Sequence, residues 1–229
     1  MKRIGLIGGI SWESTLEYYK IINEEIKNKL GKSNSANCIL YSFNFQEIEE
    51  LQHQENWDEL NKRMVQEAIN LKKAEAEFIV ICANTMHLMA SNIEKETNLK
   101  VLHIAKATAK AINEKKINKI LLLGTKFTME GDFYKNILNN NNIEVVIPNQ
   151  EDRNIIHNII YNELVRGIIK KESKQKYIKI INKIKNEGVK GVVLGCTEIP
   201  LLINQKDLDI NVFDTTSIHA KAAAKFSLQ

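Results

Sequence analysis

Two hydrophobic patterns alternate along the chain. Short runs of β-branched and apolar residues predict strands over 3–8, 38–43, 77–82, 100–104, 118–123, 143–147, 189–194 and 210–213. Between them, apolar positions recur every three or four residues, which predicts helices. Over 14–29 the recurring positions are Leu16, Tyr19, Ile22 and Ile26; further on they are Ile155, Ile159, Leu164 and Ile168. The strands read as nearly continuous apolar runs, as expected of parallel strands covered on both faces. Strand–helix alternation of this kind predicts an α/β fold built on parallel sheets.

A faint repeat divides the chain. "KRIGLIGGISWESTLEYYK" (2–20) is echoed by "NKILLLGTKFTMEGDFYK" (118–135), and "FIVICANTMH" (78–87) by "GVVLGCTEIP" (191–200). Each first member gives a Lys-led strand, a terminal Gly, a Ser/Thr/Glu turn and a helix carrying Tyr. Each second member gives an apolar strand ending in small residues and a Thr. Two similar Rossmann-like α/β units are therefore expected, the first from 1–98 plus 210–229 and the second from 99–209. Ligands of open α/β sheets bind beyond the carboxyl ends of the strands. The strand ends at Gly8–Ser11, Ala83–His87 and Gly195–Glu198 are thus where chemistry is sought.

Composition narrows the classes. With 229 residues, 44% hydrophobic and 26% charged, the chain suits one large or two small globular domains. The net charge of +4 comes from lysines scattered among Glu and Asn, without a basic stripe interleaved with aromatics. Nucleic acid is not the expected partner. No apolar run reaches the ~20 residues of a membrane helix, so no membrane partner is expected. The opening "MKRIGLIGGISW" is too short in its apolar part for a signal peptide and reads as a first strand. Three cysteines, Cys38, Cys82 and Cys196, lack metal-ligand spacing and are too few for a disulfide framework. A cytoplasmic protein without a metal is expected.

Cys196 ends an apolar strand after Gly195, where a helix N-terminus would favour its thiolate and the glycine would admit a substrate close to the backbone. The plainer reading is an inert core cysteine. Asn84 and Thr85 either cap the next helix or cradle a carboxylate. His87, one turn further, reads first as a packing residue. Cys82 and Ala83 alternate along a strand, so they point to opposite faces. "GLIGGISW" is not GxGxxG, and no Walker motif is present.

Several segments together carry a resemblance: "IGLIGGISWESTLEYYKIIN" (4–23), "ANTMH" (83–87), "LHIAKATAKAI" (102–112), "LLGTKFTMEGDFY" (122–134), "LGCTEIPLL" (194–202) and "VFDTTSIHA" (212–220). They resemble the aspartate/glutamate racemase family, specifically its amino-acid racemase branch. The resemblance implies two pseudo-symmetric α/β units with the active site in the cleft between them. It also implies racemisation without pyridoxal phosphate, metal or nucleotide, on a small acidic amino acid (aspartate or glutamate), by a homodimer. In that family two cysteines flank the substrate α-carbon, one removing the α-proton as thiolate and the other delivering a proton to the opposite face.

Cys196 matches the second family cysteine. The first directly precedes the Asn-Thr pair, where this chain has Ala83. Thr85, a bound water or a displaced Cys82 would then have to act as second proton carrier. The rival readings are a one-cysteine decarboxylase of the same superfamily and a non-catalytic binder of small acids. By the same resemblance, Ser11, Ala83, Asn84, Thr85, Thr197 and Glu198 would line the substrate's carboxylate and ammonium. Gln52 lies in a segment matching a family substrate loop. Arg166 stands where several family members carry a basic residue and would pair with a side-chain carboxylate. The catalytic expectation falls on Cys196 and Thr85.

Overall fold

The computed structural model describes residues 1–229 and divides into two compact units, 1–104 with 219–229, and 105–218. In chain order the first unit contains β1 (Ile4–Gly8), α1 (Trp12–Leu30), β2 (Cys38–Ser42), α2 (Phe45–His53), α3 (Trp57–Lys73), β3 (Phe78–Ile81), α4 (Ala90–Thr97) and β4 (Lys100–Val101). Its four strands are parallel in the order β2-β1-β3-β4. The second unit begins within α5 (Ile104–Glu114). It continues with β5 (Lys119–Gly124), α6 (Lys126–Glu130), α7 (Asp132–Asn139), β6 (Glu144–Val146), α8 (Gln150–Asn162), α9 (Lys171–Lys185), β7 (Gly191–Gly195), α10 (Ile199–Leu202) and β8 (Asn211–Asp214). Its sheet, β6-β5-β7-β8, repeats the first topology strand for strand. The last helix, α11 (Thr215–Ser227), starts in the second unit and ends in the first. No helix is long and apolar enough to cross a membrane.

The strands alternate their side chains between two buried faces. Phe78, Val80 and Cys82 join Ile4, Leu6, Tyr18, Ile22 and Ile26 with Ala220, Ala223 and Ala224 on the α1 and α11 side. Ile79, Ile81 and Ala83 join Ile7, Ile48, Leu60, Met64 and Ile93 on the side of α2, α3 and α4. Burying each large apolar side chain contributes about 1.5–3 kcal/mol. Two covered faces explain why these strands read as unbroken apolar runs.

The structure corrects three expectations. In α1 the buried face is Thr15, Tyr18, Ile22 and Ile26. Leu16 and Tyr19, expected inside, are 56% and 49% exposed, and Trp12 joins them at 63%. Thr15 faces inward because its hydroxyl accepts from Gly9 N (2.9 Å) and donates to Ser11 O (2.7 Å). The helical pattern over 155–168 breaks at Asn162: Glu163 leaves the helix and its carboxylate accepts from Ser173 Oγ at 2.5 Å. A 3₁₀ turn, Leu164–Arg166, follows and is closed by Gly167 at φ 69°, which leaves Ile168 exposed.

The third correction concerns the unit boundaries. β8, expected in the first unit, pairs in parallel with β7, Val192 opposite Val212 and Leu194 opposite Asp214. Thr215 Oγ1 secures the next residue by donating to Leu194 O at 2.8 Å. β4, expected to open the second unit, pairs with β3 in the first sheet. The first unit thus holds 219–229 rather than 210–229, and the second runs from 105 rather than 99.

Candidate active site

In the first unit the ends of β1 and β3 lie side by side, Cys82 N donating to Ile7 O at 2.8 Å. After β1 the chain turns at Gly9, φ 76°, where a Cβ would meet Phe43 O at 2.2 Å. Only glycine fits that turn. Thr15 and the Ser14 hydroxyl, which donates to Ser11 O at 3.1 Å, hold it from the first turn of α1. Ser11 is buried at the N-cap of α1, and its side chain makes no capping bond to the helix.

After β3, Ala83 and Asn84 lead into a 3₁₀ turn, Thr85–Met89. Ala83, Asn84 and Thr85 are all buried. His87 braces this end: one ring nitrogen, Nδ1, contacts Ala83 O at 2.8 Å, and Nε2 accepts from Ile104 N at 3.2 Å. These partners require a neutral ring with its proton on Nδ1. Burial pushes the His87 pKa down to about 4. Beneath it, His219 donates from Nε2 to Leu102 O at 2.5 Å and accepts the Tyr18 hydroxyl on Nδ1 at 2.8 Å. Burial, with His87 nearby, lowers its pKa to about 3. His87 is thus the packing residue that the sequence suggested.

In the second unit the corresponding end is that of β7. Cys196, Thr197 and Glu198 are buried and lead into α10, with Ile199 N donating to Cys196 O at 3.1 Å. Cys196 Sγ donates to Glu198 Oε2 at 2.9 Å, and Thr197 Oγ1 donates to the same oxygen at 3.0 Å. The expectation of a helix-stabilised thiolate does not hold. Burial and the adjacent Glu198 carboxylate push the thiol well above its ordinary pKa, against which the Thr197 and Glu198 backbone N–H groups act only weakly. α10 has four residues and brings no long helix dipole. Gly195 serves packing: a Cβ there would lie 2.7 Å from Leu123 O, and one on Gly124 would lie 2.8 Å from Gly195 O. The expected approach of substrate is therefore not what these contacts explain; they let β5 and β7 close on each other.

The profile of the Asp/Glu/Hydantoin racemase family matches residues 7–223. The chain belongs to this family. It is similar to the broad-specificity amino-acid racemase RacX of Bacillus subtilis, at 22% identity over 96% of this chain and 95% of that protein. Among solved structures it resembles a candidate Asp/Glu racemase from Yersinia pestis, with 50% identity, a TM-score of 0.92 and full coverage of both chains. An aspartate racemase homologue from Pyrococcus horikoshii OT3 matches at 39% identity and a TM-score of 0.85, again over both whole chains.

Against the family pattern, the structure gathers Ser11, Gln52, Ala83, Asn84 and Thr85 in the first unit, and Cys196, Thr197 and Glu198 in the second. Gln52, which also reads as an exposed helix residue, is 3% exposed at the end of α2, and its Nε2 contacts Met86 Sδ at 3.4 Å. Arg166 is exposed on the 3₁₀ turn Leu164–Arg166, which packs against α10. Cys82 is fully buried among Ile4, Leu6 and Val80, on the face opposite Ala83. Burial drives its thiol far above the usual range.

Sequence reasoning passed over Thr125. It ends β5 as Ser11 follows β1, is buried, and caps α6 by accepting from Thr128 N at 3.3 Å. Its place in the repeat was the available signal. Tyr177 was missed as well. It is fully buried, and burial, Cys196, Glu198 and Glu163 all hold its phenol protonated.

Proposed function

We propose that the protein interconverts, or exchanges the α-proton of, a small acidic amino acid (aspartate or glutamate) without pyridoxal phosphate, and that Cys196 transfers the proton. The observation that carries this reading is the buried Cys196 at the end of β7, with Glu198 Oε2 2.9 Å from its sulfur. The 50% identity to the Yersinia pestis protein over both whole chains supports the racemase class. An amino-acid α-proton is weakly acidic, so its removal needs dense hydrogen bonding to the substrate carboxylate as charge develops. Ser11, Asn84, Thr85 and Thr197 are proposed for that task, with Glu198, Gln52 and the backbone at Ala83 as further substrate contacts. The exposed Arg166 guanidinium is proposed to pair with the side-chain carboxylate.

Ala83 makes the reaction asymmetric. A methyl group exchanges no proton, so the face opposite Cys196 depends on Thr85 or a bound water. Both kcat and KM are then expected to differ between the enantiomers, while kcat/KM stays equal because the two have the same free energy. The test is proton NMR of the α-position in D₂O with L- and D-aspartate and L- and D-glutamate, wild type beside Cys196→Ala. Exchange with inversion, lost in the variant, establishes a racemase. Exchange with retention means Cys196 serves one face alone. Absence of exchange with all four defeats the reading and turns attention to CO₂ release from substituted malonates, the one-cysteine decarboxylase reaction, and to simple binding.

We also propose that the chain pairs with a second copy. β2 is a sheet edge bearing the exposed Leu40, beside the α1 stripe of Trp12, Leu16 and Tyr19, and these line a shallow groove of about 320 Å³. An unpaired strand edge next to an apolar stripe fits a copy of itself about a twofold axis.

A further inference from the structure

The half-buried lysines of this fold are matched, with one exception. Lys119 meets Glu144, Lys135 meets Asp132, Lys174 meets Asp207 and Lys185 meets Asp209. Lys2 lies over the Phe226 ring, 5.3 Å from its centre. Lys126 is half-buried as well, yet its ammonium makes no ion pair, hydrogen bond or ring contact. Drawing an ammonium part-way out of water without a counter-charge costs free energy. Its place in the helix brings no relief: Lys126 opens α6, whose first turn holds no acidic residue. A cation there gains nothing from the peptide dipoles.

The backbone sets this cation at the strand ends of the second unit. β5 and β7 pair to their last residues, Gly124 opposite Gly195. Thr125 and Cys196 follow directly, and Lys126 comes after Thr125. Lys126 N donates to Nδ1 of His157 at 3.2 Å, which pins the residue against α8. One turn earlier on α8, Arg153 bonds Glu130 of α6 at 2.8 Å, so this side of α8 faces α6. Next to Arg153, Asn154 Oδ1 is enclosed without a hydrogen-bond partner. Two polar groups without partners, one a full charge, thus stand on the same two helices. Packing alone explains neither.

An acidic amino acid brings a side-chain carboxylate, for which the exposed Arg166 is the other cation. Water and salt weaken an ion pair at an exposed site. A half-buried ammonium meets less of that competition. We propose that Lys126 binds the side-chain carboxylate of the substrate, its ammonium donating to the carboxylate oxygens, and so selects aspartate or glutamate over their neutral amides. This rests on the racemase reading.

The experiment compares wild type, Lys126→Met, Lys126→Arg and Arg166→Met. Lys126→Met keeps the apolar stem and removes the charge, while Lys126→Arg restores a cation. One readout is the dissociation constant, by calorimetry, for aspartate, asparagine and succinate. The other is α-proton exchange in D₂O with aspartate and asparagine. In Lys126→Met, aspartate and succinate should bind about 10- to 100-fold more weakly, as for the loss of a charge-assisted hydrogen bond. Asparagine should be unaffected. The KM for aspartate should rise by the same factor with little change in kcat, because the contact is made equally in ground and transition states. Lys126→Arg should recover part of the loss.

A selective loss of the acidic ligands supports the proposal, since a disturbed fold would weaken aspartate and asparagine together. Equal weakening of those two overturns it and leaves Lys126 a structural or α-carboxylate residue. Unchanged aspartate binding in Lys126→Met also overturns it. A loss in Arg166→Met alone would then give the side-chain carboxylate to Arg166 and leave the racemase reading standing. Wild type without exchange removes the racemase reading, and the succinate constants still decide whether Lys126 holds a carboxylate.

Discussion

The ends of β3 and β7 occupy equivalent places in two sheets of the same topology, yet they are held in opposite ways. Beyond β3, neutral imidazoles do the holding: His87 spans Ala83 O and Ile104 N, and His219 lies beneath it. Ala83, at the position where the family resemblance led us to expect a cysteine, offers only a methyl group. Beyond β7, a thiol and a carboxylate hold each other. Repeated topology therefore fixes where chemistry can sit but not which chemistry sits there. One end is held by uncharged rings, and the other by a thiol against a carboxylate.

Removing the thiol of the second end gives the largest expected effect. Cys196→Ala should lower α-proton exchange roughly 10³-fold, within the usual range for a general acid–base group. Exchange that survives the change would mean the two ends do not differ as described. Making the ends alike is the next test. Ala83→Cys should add inversion to exchange, raising interconversion of the two enantiomers roughly 10²-fold in a coupled assay or by chiral chromatography. A variant no better at inversion than wild type would show that position 83 does not limit the opposite face.

Acid should loosen the first end selectively. The folded pKa values of His87 (about 4) and His219 (about 3) lie below the ordinary 6.5. Between these values the unfolded chain binds more protons. The stability from keeping both rings neutral is complete above pH 6.5 and is lost as pH falls toward 4 and then 3. Urea titrations across pH 4–7 should show that decline. His87→Gln should cost about 1–3 kcal/mol at pH 7 through the orphaned Ala83 and Ile104 groups, and its pH slope should be shallower. An unchanged slope would place the titrating groups elsewhere.

The smallest effect on the fold is expected from the outer face of α1. Leu16→Glu should change unfolding free energy by no more than about 0.5 kcal/mol, as for an exposed site. In sedimentation, if the proposed pairing through α1 holds, wild type should run as a dimer and the variant as a monomer. A variant still dimeric would remove the α1 stripe from the interface.

The sheets were legible because their strands are apolar on both faces, and all eight predicted segments contain the observed strand or most of it. The buried face of α1 was not. Apolar residues lie on two sides of that helix, and the side that turns inward does so through Thr15, whose bonds to Gly9 and Ser11 leave no trace in a hydrophobic period. The home of β8 was hidden for a different reason, since an apolar run does not say which sheet it joins; β8 pairs with the strand just before it, β7. At the site, Cys196 and the Asn84–Thr85 end were visible as residue types at strand ends. The bond between Cys196 and Glu198 was not, because two residues apart in an irregular turn imply no contact. Gln52 was ambiguous on an amphipathic helix until its contact with Met86 placed it.

Because residues 105–218 form one continuous stretch inserted in the first unit, the order in which the units become complete differs from the order in which they begin. Unit two is complete once Ile218 has left the ribosome. Unit one, begun first, still lacks Ala220, Ala223 and Ala224, which close the face formed by Ile4, Leu6 and Phe78. The amino-terminal half must wait, with that apolar face open, for the last helix to be translated, and nascent-chain chaperones would find it there.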